Sequence, residues 1–551
     1  MDAKALRDCI EQIFTKRSTM MLLWQEQAEN FYPERADFTL KRVPGTDFAA
    51  NLMTSYPVLC RRDLGDQFSS MLRPTAKEWA HVVPVDDRLQ DGETERWLQM
   101  ATRTQRRAMY DPAAMFTVAT KAGDHDFATF GQTALSVRLN RNQDALLYRC
   151  HHLRDVVWMD GEEGKICLVA RRWKPWARSL KRLFGDKVHP SVDQMLQRNE
   201  HFAEVDCMHI VCEADLYDGQ GKKNGLQYWS IYMDMTHESK VMEEVQTWNP
   251  EYIIPRWSRP GDTQYAYSPA TIAALPDARL IQAMTYTLLE AGEKVVNPPL
   301  LATEDVVRSD VGVYAGAITW VDRDYDERLG EALRAMNIDA KGMPLGVEMQ
   351  KDSRSMIAAA FFLNKLTLPN RGPEMTAYEV GQRIQEYIRG ALPLFEPMEM
   401  EYNGAVCKLT FEILRRHGAF GAIEDMPIKL RNAPLQFRFE SPLHDAIEQQ
   451  KGQKFLEMHQ LITQAMALDQ RASAVPNIIV ALRDALSGIQ TPATWVNTEN
   501  ETKKIMQAQD EQAAMAGQLA AAEQASKVVG NLAGAVAEGA AAGPVDAEAV
   551  M

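Results

Sequence analysis

The sequence contains no run of the roughly 18–20 uninterrupted apolar residues that a membrane span needs. Its start carries Asp2, Arg7, Asp8 and Glu11 where a secretion leader would be apolar. Both absences predict a chain that works in a cytoplasm-like compartment or is released from one, with no membrane partner. Cysteine is scarce: seven residues in 551, an odd number at no framework spacing. This argues against disulfide stapling and predicts reduced, mostly buried thiols. Nowhere does Gly-x-x-x-x-Gly-Lys-Ser/Thr occur, so the backbone cradle and lysine of a nucleotide-binding loop are missing. A Gly-x-Ser-x-Gly elbow, His-Glu-x-x-His and paired Cys-x-x-Cys are missing too. The expectation is a non-enzyme without cofactor or metal.

Basic residues are outnumbered, 61 against 75, for a formal charge of −14. Tight general binding of nucleic acid needs cations to displace phosphate counterions, so that class of function is disfavoured. An acidic wall beside DNA would instead let it slide. The remaining composition, 46% hydrophobic and 25% charged, is that of an ordinary globular protein, so the fold must be read from pattern. The length exceeds what one core sustains, about 250–300 residues.

Residues 1–150 read as mainly helical. Leu6, Ile10 and Ile13 recur at helical spacing, Trp24, Ala28 and Phe31 continue the series, and Pro33 ends it. Leu59, Leu64, Phe68, Met71 and Leu72 form a second series that stops at Pro74 and hands over to a strand at Trp79. A period near two then marks strands around Leu135–Leu139, Ile166–Leu168, Val205–Val211 and Trp229–Met233. Asp218-Gly219 and Asn224-Gly225 predict a hairpin with a long loop between the last two. Beyond the loop Arg256–Pro269, Leu280, Met284, Leu288 and Val295 mark a helix stopped by Asn297-Pro298-Pro299. An α/β insert follows at 298–345, with a strand at Ala317–Val321 and a short helix near Glu327–Met336, before a second helix carrying Met356, Ile357, Ala360, Phe361 and Leu363. Thr376-Ala-Tyr-Glu379 is a capping box opening a long helix that Pro393 and Pro397 should kink. Residues 435–440 alternate as a strand, helices resume over 444–488, and the tail beyond 500 is rich in alanine and glycine.

Three clusters could carry chemistry. Cys207, His209 and Cys212 have metal-ligand side chains, but positions 207 and 212 face opposite sides of a regular strand, so ordinary strand packing is expected. Asp124-His-Asp126 has acid/base side chains but no nucleophile nearby, and reads as a cap or surface feature. The stretch Arg171–Arg182 interleaves cations with Trp173 and Trp176. If Pro175 opens a helix, Trp176, Leu180, Leu183 and Phe184 share one face, which makes this an amphipathic helix with a solvated basic side. A basic patch meeting an acidic neighbour across a subunit interface would also fit.

Several segments, in order, resemble the portal (head-to-tail connector) family of short-tailed bacteriophages: Tyr32-Pro33; Phe68–Trp79; Asp126–Leu135; Arg256-Trp-Ser-Arg-Pro-Gly; Tyr265-Ala-Tyr-Ser-Pro269; and Met375-Thr-Ala-Tyr-Glu-Val380. The likeness spans roughly residues 1–490, with Ala266 standing where the family would have glycine. It implies an α+β, mostly helical portal fold with wing, stem, clip and crown regions and a long kinked helix. Carried across, 1–268 is wing, 269–297 the first stem helix, 298–345 the clip, 346–366 the second stem helix and 367–375 a channel loop. The long kinked helix and return to the wing fill 376–440, crown helices 441–495 and an Ala-rich tail 496–551. The resemblance further implies a homo-oligomeric ring of about twelve copies at one capsid vertex, a virion location after assembly in the host cytoplasm, and double-stranded DNA passing through. Implied partners are the terminase large subunit, tail adaptor and tail proteins, and major capsid and scaffold proteins. Pro369, Asn370, Arg371 and Gly372 in the loop, and Lys351, Arg354 and Lys365 on the stem, become the candidates for contact with passing DNA. The alternative is that these are ordinary loop residues and stem salt bridges, and for Lys351 and Lys365 it is an equal reading. Two rival readings stand beside this one: a virion structural or scaffold protein without a channel, and a nucleic-acid-processing enzyme supported only by the basic Trp-containing stretch.

Overall fold

Apolar spacing and proline placement set the first elements in the computed structural model. α1 (Ala3–Lys16), capped by the Asp2 carboxylate, is followed directly by α2 (Ser18–Phe31). The single apolar series of the sequence is therefore two helices, divided at Arg17. The Arg17 guanidinium explains the break: it is buried and donates to the backbone carbonyls of Leu153 and Val156, at 2.8 and 2.6 Å, so the chain turns around it. α3 (Tyr56–Leu72) ends before Pro74 and leads into β1 (Ala80–Pro84), which pairs with β12 (Leu435–Phe439).

The structure describes residues 1–302 apart from 41, 42, 44, 46, 76, 90, 220–224, 237–239 and 262; then 320, 328, 333–336, 342–366, 396 and 398–439 apart from 432; and finally 454–464, 477–488, 491, 495–497, 501–509, 511–516 and 518. The chain divides into two units, one of residues 1–81, 103–419 and 437–445, the other of 82–102, 420–436 and 446–551. In the second unit, Trp97 meets Phe420 edge to face, Lys429 pairs with Asp91 at 2.6 Å, and Ile478–Gly488 is helical.

The first unit holds the sheets. A five-stranded antiparallel sheet runs in the order β4 (Val156–Asp160), β5 (Ile166–Trp173), β6 (Cys207–Glu213), β7 (Tyr228–Asp234), β8 (Lys240–Thr247). A smaller sheet has β2 (Ala134–Leu139) between β3 (Leu146–His151) and β9 (Tyr252–Ile253). Alternation along β6 places Met208, Ile210 and Cys212 in a core with Leu6, Ile10 and Trp229. Cys207 goes to the other face, against Leu180, Val192 and Met242. The two thiols thus sit on opposite sides of the strand, and all seven cysteines are unpaired, five of them buried.

The Arg171–Arg182 stretch departs from the helical expectation. Residues 171–173 finish β5, because Arg171 to Trp173 pair with His209 to Cys207; the helix, α6, is only Ala177–Phe184. Its buried side is Ala177, Leu180 and Phe184, while Trp176 and Leu183 face outward.

Candidate functional site

α8 (Pro269–Val296) and α9 (Met343–Ala360) bracket the insert expected between them. α8 opens on the Ser268 hydroxyl, which accepts from the Thr271 amide and donates to the Ala128 carbonyl at 2.7 Å. α8 stops at the Asn297 cap, before the two prolines. Within the insert, Leu300–Ala302 and Leu333–Ala335 pair antiparallel as β10 and β11. Residues 333–335 are therefore strand, not the short helix read near Glu327–Met336; the backbone groups of so short a segment are satisfied by the pairing. The strand read at Ala317–Val321 lies outside the described residues, as only Trp320 of it is covered.

The two helices pack along their length. Gly346 sits where an added Cβ would stand 2.8 Å from a Leu288 methyl, and the Gln350 amide donates to the Thr285 hydroxyl at 2.7 Å. Between them is a cavity of about 410 Å³ lined by Ala283, Met284, Leu288, Ala291, Met343 and Gly346. α8 buries residues only as far as Ile281, and beyond that Tyr286, Leu289 and Val296 are 57%, 61% and 85% exposed. The second helix is shorter than the expected 346–366: α9 ends at Ala360, Phe362 adopts a left-handed backbone, and a separate turn, α10, spans Leu363–Leu366. Ile357 and Phe361 explain the break, since both are fully buried and Phe361 packs edge to face on Phe31.

Lys351 and Arg354 are exposed on α9, and the Arg354 guanidinium lies 5.7 Å from the Tyr56 ring centre. Lys365 belongs to α10. Pro369, Asn370, Arg371 and Gly372 fall outside the described residues, as do the capping box at 376–379 and the kink prolines Pro393 and Pro397. The chain re-enters description immediately afterwards as a π-helical turn, Met398–Asn403, which continues as α11 (Gly404–Arg416).

The foot of α8 is where the quoted sequence segments within the described residues meet, around α5 (Phe116–Phe130); Met375–Val380 lies outside them. Asp124, His125 and Asp126 are buried on this helix, which corrects their reading as a cap or surface feature. The second half of the helix, Gly123–Phe130, is buried throughout, so its polar residues must find partners inside. Arg73, from the end of α3, contacts Asp124 through one nitrogen and donates to Asn403 Oδ1 at 2.6 Å through another, with its guanidinium 4.8 Å from the Tyr402 ring. Burial alone would weaken the Arg73 cation, but the Asp124 carboxylate more than offsets this and raises its pKa. Arg35 grips Asp126 in a two-point fork at 3.0 and 2.6 Å. Burial, then the neighbouring Arg61 cation, pushes His125 down to about 4, so the ring is neutral and its Nδ1 faces the Arg61 guanidinium at 3.0 Å. Gly65 permits that approach, for a Cβ there would stand 2.3 Å from the same nitrogen.

The remaining segments close the hub. Phe68, Phe127 and Trp257 form an aromatic triple, with Phe127 and Trp257 stacked at 5.3 Å. Gly131 has a φ of +74° and lies against the Tyr267–Ser268 backbone. The Ala266 amide donates to the Gln132 side chain at 2.9 Å, and Ala266 is not among the residues of positive φ, so the turn does not require the glycine its family position suggests. Arg35, Arg61 and Arg73 escaped sequence reasoning. From Gly123 to Phe130 α5 offers no side chain to water, so the charges of Asp124 and Asp126 had to be matched from elsewhere. Among the described residues, no three His, Cys, Asp or Glu side chains are grouped to hold a metal ion, and no helix is long and apolar enough to cross a membrane.

A family of known proteins matches this chain over residues 3–488: bacteriophage head to tail connecting protein. The "Probable portal protein" of Bordetella phage BPP-1 is 23% identical over 445 residues, covering 79% of this chain and 78% of that protein. The "Portal protein" of Salmonella phage epsilon15 is 21% identical over 445 residues, with the same coverage. Two solved structures also overlap it. The virion of a native gene transfer agent particle gives a TM-score of 0.31 at 10% identity, over 78% of this chain and 92% of that one. The neck of an empty gene transfer agent particle gives 0.34 at 11%, over 76% and 91%. The family match spans both units and every described segment of the hub, and on it the chain belongs to the bacteriophage head to tail connecting protein family.

Proposed function

We propose that this chain is a portal subunit. On this reading, copies close into a ring at one capsid vertex, through which the genome is packaged and later ejected and on which motor and tail proteins dock. The observation that carries it is the family match over residues 3–488, joined to a helix pair, α8 and α9, that brackets an insert and leaves its far half exposed and apolar. Helices of that kind gain stability when neighbouring copies cover them. In such a ring residues 269–297 and 346–366 are stem, 298–345 clip and 367–375 the loop toward the channel, with about twelve copies around double-stranded DNA. The excess of acidic residues suits a wall past which DNA slides. With no nucleotide-binding loop in the sequence, the energy for packaging comes from a separate terminase motor.

Negative-stain images of the purified chain test the ring: closed collars with a central hole are expected, and filaments or shells would overturn it. For the channel, Arg371→Glu should leave collars intact and reduce packaged or retained DNA. Normal genome packaging by that variant would remove Arg371 from the channel. Neither nuclease nor ATPase activity is expected of the purified chain.

A further inference from the structure

β5 and β6 are hydrogen-bonded neighbours, and the last residue of one, Trp173, lies opposite the first of the other, Cys207. A turn of a few residues would join them. Instead residues 174–206 intervene, with a small core of their own: Ala177, Leu180, Phe184, Val188, Val192 and Val205, closed against Met242. The sheet does not need so large an addition to close, so its outer surface is the place to look for a role.

That surface shows two aromatic rings. Trp176 and Phe202 meet edge to face at 5.3 Å and remain 51% and 69% exposed, with Leu183 at 53%. The three lysines of the segment, and the two arginines just before it, are engaged within the chain. Arg171 donates to the Tyr252 hydroxyl, Arg172 pairs with Glu11, Lys174 with Asp206, Lys181 with Asp186 and Asp193, and Lys187 with Glu243. Arg178 and Arg182, one turn apart on α6, and Arg198 further along the segment, are exposed with no carboxylate partner among the described residues. Arg141 joins them, donating to the Arg182 carbonyl at 3.3 Å. Glu200 and Glu204 bracket Phe202 in sequence, so the positive side of the aromatic pair is α6. So small a set of guanidinium groups without a carboxylate is too few to hold a duplex, where about 6–10 phosphate contacts are usual. They suit an acidic protein surface with room for an aromatic anchor.

The opposite end of the same sheet, about 23 Å away along the seven residues of β6, is acidic among the described residues. Glu162, Glu213 and Asp215 are exposed there, and Glu412 approaches from α11. The Tyr228 phenol between them has its pKa raised, first by burial and then by Glu213 and Glu412. Lys165, the cation beside them, is paired with Glu163 at 2.6 Å.

We propose that the 174–206 insertion of one copy docks on the acidic end of the five-stranded sheet of a second copy, Trp176 and Phe202 serving as apolar anchors and Arg141, Arg178 and Arg182 facing Glu162, Glu213 and Asp215. The two patches differ and sit at opposite ends of one sheet, so the contact runs head to tail, the kind that closes rings. This rests on the ring reading above.

The test is the assembly state of the full chain, by sedimentation across a concentration series, for wild type, Arg178→Glu/Arg182→Glu, Trp176→Ala/Phe202→Ala, Glu213→Arg/Asp215→Arg, and the charge-swapped combination of the first and third pairs. The altered side chains are exposed, and circular dichroism should be unchanged. Each pair alone should raise the concentration at half-assembly about tenfold or more, and the charge-swapped combination should recover most of that loss. A wild type that stays single overturns the ring reading. A wild type that assembles, with variants indistinguishable from it, overturns this contact and leaves the ring standing. Variants that assemble normally but bind duplex DNA less in a filter assay would also overturn it, assigning the arginines to nucleic acid.

Discussion

A carboxylate sealed from water survives in a fold only when a cation or several donors face it. Asp124 and Asp126 meet that condition through Arg73 and Arg35, which come from the end of α3 and the turn after α2. Asp124→Ala leaves the Arg73 guanidinium buried without its counter-charge, and should cost about 3–5 kcal/mol, read as a lowered urea midpoint with an unchanged slope. A loss below about 1 kcal/mol would mean that water reaches the site. The triplet Asp124-His125-Asp126 stood out in the sequence as a cluster of charge, yet its burial did not. Whether a carboxylate is matched depends on arginines that arrive from far along the chain, and local spacing carries no record of that pairing. The channel candidates divide by the same logic. Lys351 and Arg354 could be placed on a helix because periodicity marks helices, whereas Arg354 over the Tyr56 ring is a tertiary contact that no periodicity announces.

Elements were most legible where proline or a cap stops them. The end of α3 before Pro74 and the span of α8 from Ser268 to Asn297 follow from local chemistry. β8 was not legible, since Lys-Val-Met-Glu-Glu-Val-Gln-Thr does not alternate, and β3 was missed beside the plainer β2. Both are outer strands of their sheets, where only part of each side chain is buried and the apolar pattern thins. α9 was read too long because Phe361 and Leu363 continue its apolar series through a break that packing on Phe31 imposes. At Gly131 the α5-to-β2 turn combines a φ of +74° with the backbone of residues 267–268 at contact distance. Gly131→Ala should therefore destabilise by about 2 kcal/mol or more, through strain and through separation of α5 from the start of α8, measured by thermal unfolding. A shift within about 0.5 kcal/mol would show that the turn relaxes freely.

At the scale of the whole chain, net charge and family agree. A surplus of acidic residues, 75 against 61, should keep duplex DNA from being retained by the purified chain at physiological salt. Filter binding at sub-micromolar affinity under those conditions would contradict that. The support given to α8 has a further consequence. One chain buries this helix only to Ile281, and the remaining residues to Val296 have α9 as their neighbour. About 22 Å of helix thus enters assembly half-supported, and its amides should exchange with solvent until adjoining copies enclose them. On the ring reading, ordering of this half of α8 and its enclosure by adjoining copies become one event.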